Sequence, residues 1–93
     1  MGTALEWDED KRRATLEERG LDFADCAAVF AGVTHNFHDE RRDYGEPRII
    51  SVGFLRGRMV VIAYTPREQG RRNISMRYAN ERERTHYSRF FRS

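Results

Sequence analysis

The 93-residue chain has a single cysteine and a single lysine, and it lacks any long apolar run. Cys26 has no partner within the chain, which excludes an intramolecular disulfide. No apolar stretch approaches the length of a spanning helix or the apolar core of a signal peptide. Glycine-rich phosphate loops of the G-x-G-x-x-G or Walker type are also missing. These absences predict a cytoplasmic protein without a membrane contact or a nucleotide cofactor.

The scarcity of lysine accompanies an uneven distribution of charge. Sixteen of the seventeen basic residues are arginine, which suits bidentate phosphate binding and stacking on bases. Residues 1–46 carry six basic and twelve acidic side chains (net −6), whereas residues 47–93 carry eleven arginines and three glutamates (net +8). A GC-rich genome would also favour arginine codons, but it does not explain why acids are scarce only in the second half. That half therefore predicts a polyanionic partner, and the acidic half would orient it by repulsion.

A chain of this length encloses one thin core, so we expect a single domain over residues 1–93. Hydrophobic spacing and capping residues predict a helix from Asp8 to Gly20, a second from Asp22 to Gly32 and a third from Asn80 to about Phe90. Apolar runs and alternation predict a short strand at residues 5–7 and further strands at 33–37, 48–54, 59–65 and 71–78. The expected fold is α+β. It has a small antiparallel sheet of about four strands, packed on one face with two N-terminal helices and a C-terminal helix.

Candidate catalytic residues lie on the last two strands and the last helix. Cleavage of RNA needs no metal if the ribose 2′-hydroxyl attacks, provided that the site stabilises the pentavalent phosphate and moves two protons. Arg67 and Arg77 are expected to converge on the phosphate from neighbouring strands. Helical spacing puts two titratable groups, His86 and Tyr87, one turn after a third, Glu83. Each has an alternative role: Glu83 as the capping-box partner of Asn80, His86 as a solvated residue and Tyr87 as a core aromatic.

Other reactive residues give weaker signals. His35 and His38 lie beside Asp39 and Glu40, but two histidines in such a loop are more often exposed than metal ligands, so we expect no metal site. Cys26 lies on the apolar side of the second helix and is expected in the core rather than as a nucleophile. No cofactor is predicted.

Cations and aromatic rings are mixed in the second half, as in proteins that bind single-stranded nucleic acid. The arginines are Arg71, Arg72, Arg82 and Arg84, and the rings belong to Tyr78, Phe90 and Phe91. The alternative is that the rings are buried and the arginines form surface ion pairs. Both can hold at once.

Five short motifs follow one another between about Leu5 and Tyr87. They are Glu6-Trp7-Asp8-x-x-Lys11, Gly20-Leu21-x-Phe23, Asp43-Tyr44-Gly45-Glu46-x-Arg48, Tyr64-Thr65-x-Arg67 and Arg72-x-Ile74-Ser75-x-Arg77-x-Ala79, with Glu81, Glu83 and Tyr87 after them. In order and spacing they resemble the BrnT family of toxins. The resemblance implies a cytosolic bacterial ribonuclease toxin with a RelE-like fold. It also implies a BrnA-type antitoxin with a ribbon-helix-helix domain, through which alone the complex would bind operator DNA.

The resemblance carries functional roles to Lys11, Arg48, Arg67, Arg77, Glu83 and Tyr87. The first helix departs from the family pattern at Thr15, Glu18 and Arg19. Glu18 and Arg19 stand where the family has a lysine-histidine pair, and Arg19 restores one positive charge. Met76 replaces a small residue on a strand. We predict RNA contacts at Lys11, Arg19, Arg48, Arg71, Arg72 and Arg82. The alternative partner for Arg71, Arg72, Arg82 and Arg84 is an acidic antitoxin that occupies the same face.

The leading hypothesis is a metal-independent ribonuclease that cleaves single-stranded messenger RNA and inhibits translation and growth. A second is a catalytically silent partner of a DNA-binding antitoxin, acting only in operon autoregulation. A third is a stand-alone nucleic-acid binder, which would show salt-sensitive binding without cleavage.

Overall fold

The secondary structure follows the predicted order of elements. The computed structural model describes residues 4–92, so the ends of the predicted domain, residues 1–3 and 93, lie outside the described residues. The strands are β1 (Ala4–Glu6), β2 (His35–His38), β3 (Ile49–Leu55), β4 (Arg58–Arg67) and β5 (Gly70–Tyr78). The helices are α1 (Glu9–Arg19), α2 (Cys26–Ala31) and α3 (Glu81–Ser88), and 3-10 turns precede α2 (Phe23–Asp25) and follow α3 (Arg89–Phe91). The predicted α+β class is confirmed.

The sheet has five strands in the order β1-β5-β4-β3-β2. Strands β2 to β5 form the expected antiparallel meander, but β1 adds a fifth strand that runs parallel to β5. The prediction of about four antiparallel strands was therefore wrong in number and at one edge. Glycine at position 70 permits the extra strand, because a Cβ there would overlap the backbone of Ala4.

Helices cover both faces of the sheet, whereas one face was predicted. Along β4, Val60 and Ile62 point to a core cluster shared with Phe23, Cys26 and Val29. Val61 and Ala63 point the other way, to a cluster against which Tyr87 and Phe91 pack. Because side chains alternate along a strand, the two clusters lie on opposite faces, with α1 and α2 on one and α3 on the other. The buried run from Met59 to Ala63 is typical of a strand covered on both sides.

Local signals set most element ends. Asp8 accepts hydrogen bonds from the backbone N–H groups of Asp10 and Lys11 at the start of α1, and Gly20 ends that helix with a left-handed φ of 69°. Arg56 and Gly57 have φ values of 50° and 79°, as a two-residue β3–β4 hairpin turn requires. Strand β2 starts two residues later than predicted, at His35, and Asp22 caps the 3-10 turn rather than α2 itself.

Within the described residues, no helix has the length and apolar character needed to cross a membrane.

Candidate active site

A cleft of about 190 Å³ lies between α3, the middle of the sheet and the segment that follows β2. We call it the Arg77 cleft. Arg77, Glu83 and Tyr87 line one side, and Asp39 and Arg41 line the other. Ile50 and Val61 form an apolar floor. Of the five predicted catalytic residues, the cleft brings together Arg77, Glu83 and Tyr87.

Arg77 and Glu83 form a bidentate ion pair in this cleft. Arg77 lies opposite Val61 in the sheet, on the face that α3 covers. Its two terminal nitrogens donate to Glu83 Oε1 at 2.7 Å and Oε2 at 2.8 Å. Planar forks of this kind fix both side chains and are stronger than neutral hydrogen bonds. The pair therefore orients a guanidinium that keeps 41% of its side chain exposed.

Glu83 also completes the N-terminal cap of α3. The Asn80 side chain accepts a hydrogen bond from the Glu83 backbone N–H at 2.8 Å, and Glu83 Oε1 accepts one from the Asn80 backbone N–H at 3.0 Å. The capping box predicted as the alternative role of Glu83 is thus confirmed. The hydrogen bonds from Arg77 lower the pKa of Glu83, burial opposes them, and the bond from Asn80 adds to the lowering. Glu83 is therefore a carboxylate at neutral pH and, while so paired, a weak base.

The opposite wall is organised around Asp39, a residue that sequence reasoning left as a minor neighbour of the histidines. Asp39 is 8% exposed and accepts hydrogen bonds from Arg41 Nε and Nη2, both at 2.8 Å, and from the Tyr44 hydroxyl at 3.0 Å. The hydrogen bonds from Arg41 hold the pKa of Asp39 well below its usual range, against the opposing effect of burial. Asp39 thus anchors Arg41 at the mouth of the cleft.

Tyr44 links this wall to Arg48, because the Arg48 guanidinium lies 3.7 Å from the centre of the Tyr44 ring. The segment lies between the predicted strands at 33–37 and 48–54, where no helix or strand is predicted. The motif from Asp43 to Arg48, which carries part of the family resemblance, is the sequence signal that could have indicated a role for this segment.

His86 and Tyr87 lie in different surroundings. Tyr87 is half-buried and its ring stacks on Phe37 at 5.9 Å. His86 is exposed and lines a shallow depression with Glu81, Arg82 and Thr85, outside the Arg77 cleft. The predicted alternative of a solvent-exposed His86 agrees with its position.

Arg67 does not converge with Arg77, contrary to the prediction. Arg67 lies opposite Gly70 at the β4–β5 turn, whereas Arg77 lies opposite Val61. Arg67 lies six positions after Val61 along β4, which corresponds to about 20 Å. Arg67 instead pairs with Glu46 at 3.0 Å. Strand adjacency alone suggested the convergence, and the register excludes it.

The other predicted RNA-binding residues lie on several parts of the surface. Lys11 and Arg82 are exposed on α1 and α3, Arg19 donates to the carbonyl oxygen of Met76 at 3.0 Å, and Arg72 pairs with Glu6 at 3.6 Å. Arg71 lies over the Phe30 ring at 4.0 Å, on the face of the sheet that carries α1 and α2. These arginines do not gather around Arg77.

Neither histidine of strand β2 belongs to a metal centre in the described structure. His35 stacks on Phe90 at 3.8 Å, and His38 is exposed. Between residues 4 and 92, no group of three or more histidine, cysteine, aspartate or glutamate side chains is close enough to hold a metal ion. Cys26 is fully buried, and burial raises the pKa of its thiol to about 12, so it is a core residue as expected.

The fold and the Arg77 cleft define a small α+β protein whose cleft brings together an oriented guanidinium, a second arginine and a phenol. The chain matches the family model described as the ribonuclease toxin, BrnT, of type II toxin-antitoxin systems over residues 7–83, and it therefore belongs to that family. The resemblance noted in the sequence is thus confirmed, and the protein is a ribonuclease toxin whose system includes an antitoxin. No individual curated protein gives a significant match.

Proposed function

We propose that this toxin is an endoribonuclease that cleaves single-stranded RNA, messenger RNA above all, without a metal ion. We propose that the Arg77 cleft is its active site. The observation that carries the proposal is the bidentate Arg77–Glu83 pair in a cleft that also holds Arg41 and Tyr87. A fixed, partly exposed guanidinium suits the charge that develops on phosphate oxygens in the transition state.

The proposed reaction is an internal transfer of the phosphodiester. The ribose 2′-oxygen forms a bond to phosphorus, the bond from phosphorus to the 5′-oxygen breaks, and the products are a 2′,3′-cyclic phosphate and a 5′-hydroxyl end. One proton leaves the 2′-hydroxyl, and one reaches the departing 5′-oxygen. Arg77 and Arg41 neutralise the phosphate oxygens while these bonds change.

The Arg77–Glu83 pair suggests how the base is activated. When the phosphate takes up one N–H group of the fork, Glu83 keeps the other hydrogen bond from Arg77, and the interaction that contributes most to its lowered pKa is weakened. Its pKa then rises towards its ordinary value, and the carboxylate becomes a better acceptor for the 2′ proton. The Tyr87 hydroxyl is the proposed donor to the leaving oxygen, and His86 is the alternative proton carrier.

Outside the cleft, we propose that Arg48 and Arg71 contact RNA most directly. Each guanidinium is stacked on an aromatic ring and forms no ion pair within residues 4–92. Lys11, Arg19 and Arg82 would add charge that attracts the strand. Arg67 and Arg72, which lie outside the Arg77 cleft and pair with carboxylates, would contribute less.

Purified toxin should cleave single-stranded RNA in excess EDTA, and RNA with a 2′-deoxy residue at the cleavage position should resist. Arg77→Ala should abolish most cleavage, while Arg13→Ala, on the exposed surface of α1, should not. Cleavage that required Mg²⁺, or that proceeded on the 2′-deoxy substrate, would exclude this mechanism.

The biological setting extends the proposal. We propose that one toxin domain acts in the cytoplasm, that a BrnA-like antitoxin with a ribbon-helix-helix domain neutralises it, and that the complex reaches operator DNA only through the antitoxin. Support comes from the type II family and from the concentration of arginine in the second half. Gel-shift assays with operator DNA test it: toxin alone should not shift the DNA, and toxin with antitoxin should. The catalytically silent alternative is not favoured, because the family is one of ribonucleases.

A further inference from the structure

A second cleft, of about 390 Å³, lies at the end of the sheet. It forms where the β3–β4 hairpin lies beside the connection from β5 to α3, and we call it the end-of-sheet cleft. Its lining includes Phe54, Arg58, Tyr78, Arg84 and Ser88, and no lining residue is acidic. The volume is within the range of small-ligand sites. An acid-free cleft with two arginines favours an anionic ligand.

The two clefts lie on different sides of α3. Glu83 and Tyr87 line the Arg77 cleft, and the next residues along the helix, Arg84 and Ser88, line the end-of-sheet cleft. Consecutive residues of a helix are about 100° apart around its axis, so one turn of α3 presents side chains to both clefts. The two clefts are therefore lined by neighbouring residues of the same helical turn.

Both arginines of the end-of-sheet cleft are held in place without a carboxylate. The Arg58 guanidinium lies over the Tyr78 ring at 3.8 Å, and Arg84 Nη1 donates to the Ala79 carbonyl oxygen at 2.9 Å. Neither arginine forms an ion pair in the described part of the chain. A guanidinium has five N–H groups, so most of those on each arginine are free for a ligand. Two such forks match the oxygens of a phosphate.

Phe54 adds an apolar plane to the same cleft. Its side chain is 40% exposed, and its only aromatic contact within residues 4–92 is edge-to-face with Phe91 at 4.9 Å. Unpaired bases stack on rings of this kind, and each stacked base contributes about 1–3 kcal/mol of binding. A ring beside a phosphate site favours a nucleotide over an acidic peptide.

We propose that the end-of-sheet cleft is a second RNA subsite, in which Arg58 and Arg84 hold a phosphodiester close to the scissile one and the adjoining base lies on Phe54. The subsite rests on the proposed ribonuclease function, because RNA is taken as the ligand of the Arg77 cleft. It would set affinity and position the strand, while the Arg77 cleft performs the reaction.

The test measures binding of a fluorescent, single-stranded 2′-O-methyl RNA, which cannot be cleaved through its 2′-oxygen, to the whole toxin. The Arg58→Gln/Arg84→Gln variant should bind it about tenfold to a hundredfold more weakly. The slope of log affinity against log salt should also become shallower by about 1. Phe54→Ala should weaken binding by about fivefold or more, without changing the salt slope.

A matched control removes one arginine from the same hairpin and one from the C-terminal end of the chain, both outside the cleft. Arg56→Gln/Arg89→Gln loses the same charge and should change affinity by less than about threefold. Equal losses in the two double variants would show a general charge effect and overturn the subsite. Unchanged affinity in Arg58→Gln/Arg84→Gln would overturn it as well, and so would a wild-type toxin that does not bind the RNA.

Further measurements distinguish the RNA subsite from the ribonuclease proposal and from an antitoxin-binding site. Wild-type toxin that cleaves ordinary RNA, with full RNA affinity in Arg58→Gln/Arg84→Gln, would leave the ribonuclease proposal standing and overturn the subsite. If the toxin does not cleave RNA but Arg58→Gln/Arg84→Gln selectively loses RNA affinity, the subsite stands and the ribonuclease proposal is overturned. Loss of antitoxin binding with full RNA affinity would assign the cleft to a protein partner instead, and overturn it. If the double variant does not fold, Arg58→Gln alone decides, because the Arg58 side chain makes no hydrogen bond within residues 4–92.

Discussion

Arg77 and Glu83 are joined by two hydrogen bonds of 2.7 and 2.8 Å across the start of α3, and the same carboxylate closes the capping box with Asn80. One side chain thus serves the proposed active site and the helix end at once. Removal of Glu83 would disturb both, so its two roles need variants that separate them.

Glu83→Gln should keep the helix-capping role of Glu83 and remove its role in the proposed active site. Glutamine can still accept the hydrogen bond from the Asn80 backbone N–H, so α3 keeps its cap and the free energy of unfolding should fall by no more than about 1 kcal/mol. The charge that orients Arg77 and would accept the 2′ proton is lost, so kcat should drop about a hundredfold or more. RNA-cleavage kinetics and urea unfolding of the same preparation measure the two effects.

Asn80→Ala is the complementary variant. It removes the side chain that accepts from the Glu83 N–H and should cost about 1 kcal/mol of stability, while the Arg77–Glu83 pair remains and kcat changes by less than about threefold. If Asn80→Ala lost as much activity as Glu83→Gln, the contribution of Glu83 would be structural.

Arg67 and Arg77 should differ in their kinetic effects because the sheet register holds them apart. Arg77→Ala should lower kcat about a hundredfold to a thousandfold, the effect expected when a donor to the transition state is lost. Arg67→Ala, which releases Glu46 at the distant β4–β5 turn, should affect KM alone, by less than about fivefold. Steady-state kinetics on one RNA substrate measures both. A large fall in kcat for Arg67→Ala would restore the catalytic role first predicted for it.

Asp39 should make stability dependent on pH. Hydrogen bonds from Arg41 depress its pKa in the folded state, so the stabilisation is complete above the unfolded pKa, about 4. It is lost as the pH falls from there through the folded value. In urea unfolding between pH 7 and pH 2, Asp39→Asn should be less stable than wild type at neutral pH, and the difference should shrink in acid. Arg41→Gln removes the cause of the shift and should flatten the curve too; a wild-type profile in that variant would contradict the assignment.

Local signals predicted much of the fold, and non-local pairing accounts for what they missed. The caps at Asp8 and Asn80 and the hairpin at Arg56 and Gly57 act within a few residues, so the elements they bound were largely found. The parallel pairing of β1 with β5 joins residues more than 60 positions apart, and a three-residue strand carries no sign of its partner. The cleft was half predicted for the same reason. Helical spacing on α3 predicted Glu83 and Tyr87. Asp39 and Arg41 follow β2, and only the pairing of β2 in the sheet brings them to the cleft.

Gly70 should be indispensable for the edge strand. A Cβ at this position would overlap the backbone of Ala4, so Gly70→Ala must displace β1 and should cost about 1–3 kcal/mol of unfolding free energy. Gly32→Ala is the matched control, because a Cβ there meets its nearest neighbour, the Val29 carbonyl oxygen, at an ordinary 3.7 Å. Thermal and urea unfolding of the two variants should differ clearly. Equal stability would mean that β1 adds little to the fold.

His86 and Tyr87 are neighbours on α3, yet only Tyr87 lines the Arg77 cleft. Tyr87→Phe keeps the ring stacked on Phe37 and removes only the hydroxyl, so kcat should fall about a hundredfold with little change in stability. His86→Gln should change kcat by less than about threefold, because the exposed ring lies outside the cleft. The dependence of kcat on pH decides between them, since a histidine that moves a proton adds its own titration to the profile. Loss of such a titration in His86→Gln, with Tyr87→Phe active, would transfer the proton-donor role from the phenol to the imidazole.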